Sequence, residues 1–228
     1  MVFQAIISIL KLFLEMAKVE IVDTMHYSLA MKPTARSPSK KEARAQDTHR
    51  KILVAATKLF ARHGYHKTTI TDICRLIGLT SGAVFHHFPT KEALLDAVIE
   101  RLARGIHIYS QYLERTEVGS SQVVEEMVRI MCDHFRRQPE ATICLAALAT
   151  EFAGSNHPIE KRLKEIYDQF VQAFARVLRR HPRVSDPEAA AIVFLGTVQG
   201  IAIQGLLREG EQTIDQLADA YLALLATW

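Results

Sequence analysis

The stretch TITDICRLIGLTSGAVFHHFPTK, residues 69–91, decides how this chain is read. Thr69 and Asp72 stand three apart, the spacing at which a hydroxyl caps a helix start and an acid answers it. Ile70, Ile73, Cys74 and Ile77 then share one face, and Gly78 stops the helix after about two turns. Thr80 caps a second short helix that runs through SGAVFHH to about Phe88. Thr90 caps a third, with Glu92 at the positive end of its dipole. Two short helices joined by a tight glycine turn are a helix-turn-helix. The second of them carries small, aromatic and imidazole residues where an ordinary amphipathic helix would carry aliphatics.

That composition fits a helix that enters the major groove of DNA. Such a face needs small residues for close approach, and donors or planar groups for phosphates and base edges. Ser81, Gly82 and Ala83 would give the approach, and Val84, Phe85 and Phe88 would be mixed anchors. His86 and His87 would reach DNA, and Lys91 would meet a phosphate at the start of the next helix. A metal reading of the two histidines is weaker. Neighbours on a helix point about 100° apart, and no cysteine or carboxylate completes a ligand set. Cys74 reads as a small buried apolar residue.

Outward from this stretch the helical pattern continues. In THRKILVAATKLFARHGYHK, Ile52, Leu53, Ala56, Leu59 and Phe60 form one stripe, and Gly64 ends the helix. Leu94, Leu95, Val98 and Leu102 form the inner stripe of the helix after Thr90.

Residues 47–106 resemble the DNA-binding domain of the TetR/AcrR family, the tetracycline-repressor-type regulators. The family pattern is an alanine-rich helix ending in Phe and "xxGY", then "TT", then "IAxxAGVSxGxxYxHFxxKxxL". Here it reads AATKLFARHGYHKTTITDICRLIGLTSGAVFHHFPTKEALL, in order and without gaps. Cys74, Ile77, Leu79 and Thr80 stand for the usual Ala, Ala, Val and Ser and keep their character. Phe85 replaces a tyrosine that reaches the DNA backbone, so one hydroxyl contact is lost and an apolar contact to a thymine methyl remains. The resemblance makes Thr69, Thr71, Thr80, Ser81, Ala83, His86, His87 and Lys91 contact candidates. It implies an all-α fold of about nine helices.

The bulk numbers agree with helix: 10 glycines and 7 prolines in 228 residues, with no alternating β-branched run. The net charge of +3 hides a basic block. Between Met31 and Lys67 ten Lys or Arg face two acids, an excess of eight, which leaves −5 on the rest of the chain. A block of that kind suits a polyanion partner. Three cysteines with no CxxC pair fit a reducing, cytoplasmic compartment. No catalytic signature, P-loop, dinucleotide fingerprint or cofactor motif is present, so neither an enzyme nor a cofactor is expected.

Residues 1–46 read as an N-terminal extension, with a basic tail at 32–46 that is disordered or partly helical. MVFQAIISILKLFLEM lacks the basic start and cleavage site of a signal peptide, and Lys11 and Glu15 break it well short of the ~20 residues that span a bilayer. It reads as an appended amphipathic helix or the product of an upstream start codon, with no stable membrane insertion.

After residue 118, turn signals at Pro139, GSNHP, HPRVSDP and EGEQT separate helices expected at 120–138, 140–153, 158–181, 186–208 and 213–227. By the resemblance, 107–228 is a ligand-binding and dimerisation domain whose last two helices form a four-helix bundle with a second copy. Ala190, Phe194, Val198 and Ile201, and Ile214, Leu217, Ala218, Tyr221, Leu224 and Leu225, give these helices the apolar width. Met127, Met131, His134, Phe135, Leu145, Leu148, Phe152, Tyr167, Phe170 and Phe174 are pocket candidates or core. Cys144, Leu145, Leu148 and Glu151 resemble a "GCLxxxLxxE" pattern of one subgroup, with Ile143 in place of the glycine. By that resemblance Cys144 is a pocket residue and a candidate thiol sensor.

The resulting expectation is a homodimeric repressor. It binds a palindromic operator in double-stranded DNA and is released by an apolar or electrophilic small molecule. The alternative is a helical ligand-sensing protein with weakened operator recognition, for which Phe85 speaks.

Overall fold

The computed structural model describes residues 39–117 and 122–226, so the segment expected at 1–30 and the start of the basic tail lie outside the described residues. Packing divides the chain after Arg50, and Lys51–Trp228 forms one compact unit.

Among the described residues there are nine helices and no strand, the all-α architecture expected. The first, α1 (Lys40–His63), starts seven residues before the expected residue 47. Its signal is Ser39-Lys-Lys-Glu42: the Glu42 amide donates to Ser39 Oγ at 3.3 Å, and the Ser39 amide donates to Glu42 Oε2 at 2.6 Å. This capping box escapes a periodicity reading because the residues after it are polar. Ile52, Leu53, Ala56 and Phe60 are buried as expected, while Leu59 is only half-buried.

The short helices α2 (Ile70–Ile77) and α3 (Ser81–His87) follow, and then α4 (Lys91–Arg115). Thr69 and Asp72 close the reciprocal capping box, and Gly78 takes φ +67° at the C-cap. Thr80 and Thr90 accept from the Ala83 and Ala93 amides at 3.2 and 3.0 Å. Each cap satisfies a backbone donor that would otherwise cost about 1 kcal/mol.

The remaining helices are α5 (Val123–Arg137), α6 (Pro139–Phe152), α7 (Pro158–Leu178), α8 (Pro187–Leu207) and α9 (Ile214–Ala226). Proline opens α6, α7 and α8, where its missing N–H costs nothing. Asp186 caps α8 by accepting the Ala189 amide at 3.0 Å.

The core lies where α4 packs on α7 and α7 on α8. Phe174 stands edge-on to Phe194 at 4.7 Å between ring centres, and Phe170 lies 5.6 Å from Phe174. Full burial of one such side chain contributes about 2–3 kcal/mol. Helix α4 runs through the boundary expected at 106/107, with Ile106, Tyr109 and Leu113 buried. The Arg176 guanidinium closes its end by donating to the Leu113 carbonyl.

Candidate nucleic-acid interface

Helix α3 buries Val84 and presents the opposite face. Ser81, Gly82, Phe85 and His86 are exposed, one and four residues apart along one side. Phe85 is 45% exposed, unusual for an aromatic ring. A Cβ added at Gly82 would meet nothing within 4 Å, so the glycine serves no internal packing. Ala83 and His87 are half-buried, and Phe88 is a core residue rather than a surface anchor. The His86 and His87 rings meet edge to face at 5.5 Å. Burial, and then the neighbouring His86, holds the His87 imidazole below its ordinary value.

The expected threonines divide. Thr71 is exposed on α2. Thr69 is committed to its cap: its hydroxyl donates to Asp72 Oδ2 at 2.6 Å and accepts the Asp72 amide at 3.1 Å. These bonds from Thr69 hold the Asp72 carboxyl below the usual carboxylate range. Thr80 likewise caps α3. Lys91 is engaged inside the protein. Its ammonium lies 4.2 Å above the Tyr65 ring and donates to the His66 carbonyl at 3.3 Å. Burial lowers its pKa despite Glu151 and Glu92 nearby. Two of its three donors stay available for a phosphate.

The expected pocket is assembled in part. A cavity of about 50 Å³ is lined by Met131, His134, Phe135 and Tyr167, together with Leu145. Leu102, Ile106 and Tyr109 of α4 and Leu195, Val198 and Gln199 of α8 also line it, and none of these was expected there. Gln199, an amide inside the apolar run of α8, was the available signal. Its Nε2 donates to the Tyr167 hydroxyl at 2.9 Å. Burial pushes the Tyr167 hydroxyl up to about 12 and pulls the His134 imidazole down. No Lys, Arg, Asp or Glu is among the lining residues.

The other pocket candidates lie elsewhere. Phe170 and Phe174 belong to the aromatic core with Phe194, and Leu148 is fully buried. Phe152 packs on Tyr65, His66 and His157. Cys144 is wholly buried, outside the cavity lining, and burial pushes its thiol up to about 12. A sensor thiol needs a lowered pKa and access; Cys144 has neither. Cys132 does line the cavity, with its thiol raised to about 11 by burial. Among the described residues no three His, Cys, Asp or Glu side chains converge on a metal geometry.

On α8 and α9, Ile192, Val193, Ile203, Leu206, Leu207, Leu224 and Leu225 are exposed, with Val193 at 66% and Leu207 at 72%. Phe194 and Val198, part of the same apolar width, turn inward to the core.

An exposed helix face between two threonine-capped helix starts completes a helix-turn-helix arrangement. Residues 52–98 match the family described as "Bacterial regulatory proteins, tetR family". The chain is 27% identical over 180 residues to the HTH-type transcriptional regulator SrpR of Pseudomonas putida, covering 76% of this chain and 82% of that protein. It is 23% identical over 149 residues to the nucleoid occlusion factor SlmA of Actinobacillus pleuropneumoniae, covering 65% of this chain and 72% of that one. In fold it is similar to the transcriptional regulator FadR of Bacillus subtilis in complex with stearoyl-CoA, at TM-score 0.58 and 18% identity, over 78% of this chain and 97% of that one.

Proposed function

We propose that the chain is a homodimeric, cytoplasmic repressor that holds a palindromic operator until a small molecule releases it. In this reading α3 enters the major groove, with Ser81, Gly82, Ala83, Phe85, His86 and His87 toward DNA and Thr69, Thr71, Thr80 and Lys91 beside the backbone. Residues 47–106 are the DNA-binding domain, with its helix-turn-helix at 69–88, and 107–228 bind ligand and dimerise.

The observation that carries this reading is the outward face of α3, where an exposed Phe85 sits beside a glycine that packs against nothing. Dimerisation through α8 and α9 rests on their exposed leucines, isoleucines and valine, a patch that water disfavours. Two copies of α3 about 34 Å apart would then match two half-sites. The cavity suits an uncharged, largely apolar effector, because its polar groups are neutral and no ionic partner is at hand. An electrophile acting on Cys144 does not suit this geometry.

Selection of operators from random double-stranded DNA tests the reading. The expected result is a palindrome protected in footprinting and bound far more tightly than bulk DNA. Steep salt dependence without any sequence preference would instead favour a helical sensor that has lost operator recognition, the alternative that the missing hydroxyl at Phe85 supports.

A further inference from the structure

The last turn of α6 grips the turn between α1 and α2. Glu151 Oε2 accepts the Tyr65 amide at 2.6 Å, and Oε1 accepts the His66 amide at 2.8 Å. Oε1 also meets His66 Nδ1 at 2.6 Å. One carboxylate therefore makes three polar contacts with two residues some 86 positions away in sequence. Bonds of this charged kind are short and stronger than neutral ones. The approach requires Gly64, which sits at φ +78° with Oε2 only 3.0 Å from where a Cβ would stand. Phe152, the next residue of α6, packs beneath the Tyr65 and His66 rings at 5.8 and 5.5 Å.

The turn does not need Glu151 for its own shape. The Gly64 amide donates to the Phe60 carbonyl at 3.0 Å, and the Thr68 amide donates to the Tyr65 carbonyl at 3.2 Å. The Thr68 hydroxyl donates to the Gly64 carbonyl at 2.7 Å. What Glu151 adds is the tie to α6. On its other side the turn is joined to α4, since Lys91 covers Tyr65 and the Tyr65 hydroxyl donates to Glu92 Oε1 at 3.4 Å. Ala141, Thr142 and Leu145, one to two turns into the same α6, line the cavity. From Thr142 to Glu151 is about 14 Å of rigid helix at 1.5 Å per residue.

We propose that Glu151 is a positioning residue for DNA binding: it fixes the head carrying α2 and α3 to α6. The proposal rests on α3 being the DNA-reading helix. It separates two kinds of contribution to affinity. Residues that touch DNA change the contacts; Glu151 changes only how well the head is held in place before contact is made.

The test uses the full chain with Glu151→Ala and with the milder Glu151→Gln, which turns one acceptor oxygen into an NH2 facing amide donors. Amide exchange is measured without DNA. Binding is measured on the operator that the wild-type chain selects from random DNA. The expected result is exchange at Tyr65 and His66 faster by roughly tenfold or more with α7 and α8 still protected. Operator affinity should fall by about tenfold at an unchanged salt slope, because no phosphate contact is lost. Exchange and affinity within about twofold of wild type in both variants would overturn the proposal. So would protection lost throughout α7 and α8 in Glu151→Gln, or a reduced salt slope. If the wild-type chain selects no operator, the repressor reading falls, and the exchange measurement still decides whether Glu151 holds the turn.

Discussion

The Lys91 ammonium lies 4.2 Å above the Tyr65 ring, so the lysine expected to meet a phosphate also pins the start of α4 to the turn after α1. A cation over an aromatic face contributes about 0.5–1 kcal/mol at such a partly exposed site. Lys91→Ala should therefore lower thermal stability slightly and weaken every DNA sequence alike. The decisive measurement is the salt dependence of binding, whose slope should fall by about one. An unchanged slope would confine Lys91 to its role on Tyr65.

Phe85 should read a base rather than the backbone. Phe85→Ala is expected to relax the preference at one thymine-bearing position of the selected operator by about 1–3 kcal/mol and leave the other positions unchanged. Phe85→Tyr should tighten binding by about 1 kcal/mol through one added backbone hydrogen bond. Repeating the operator selection with both variants checks this directly.

His87 should make DNA binding depend on pH. Without DNA, burial and then the neighbouring His86 hold the His87 imidazole below its ordinary value. A phosphate beside it stabilises the charged imidazole, so its pKa rises on binding and a proton is taken up. Affinity should then grow as pH falls from about 7.5 through the bound value, and level off below the free one. Titration by fluorescence anisotropy should show this trend, and His87→Asn should flatten it.

Val193 and Leu207 are the most exposed large apolar side chains on α8, so a charge there should cost the fold little. Val193→Glu with Leu207→Glu should turn a dimer into a monomer in sedimentation while helicity is retained. Operator affinity should drop by roughly 100-fold or more, since each monomer reads only one half-site. A dimeric double variant would rule out this face as the interface.

The helix-turn-helix was legible because its determinants are local. Thr69 finds Asp72 three residues on, and Thr80 and Thr90 cap within the next turn. The start of α1 was equally local at Ser39 and Glu42, yet hidden because no apolar stripe follows it at once. The cavity was half legible. Apolar spacing marks Met131, Phe135, Phe170 and Phe174 alike as inward, and only the arrangement of α4, α7 and α8 separates cavity wall from aromatic core. Glu151 was visible as part of a motif, but its partners lie 85 and 86 residues away, beyond any periodicity.

Gly64 and Gly82 are the same residue held by different demands. At Gly64 a side chain would meet both a left-handed backbone and the Glu151 oxygen, so a substitution there strains the turn and displaces Glu151. At Gly82 there is open space, and the fold is indifferent. In a saturation library sorted first for soluble expression and then for repression, substitutions at position 64 would already be thinned in the first round. Position 82 would pass it and be purged only in the second, which would separate the residues that build the head from those that meet its target.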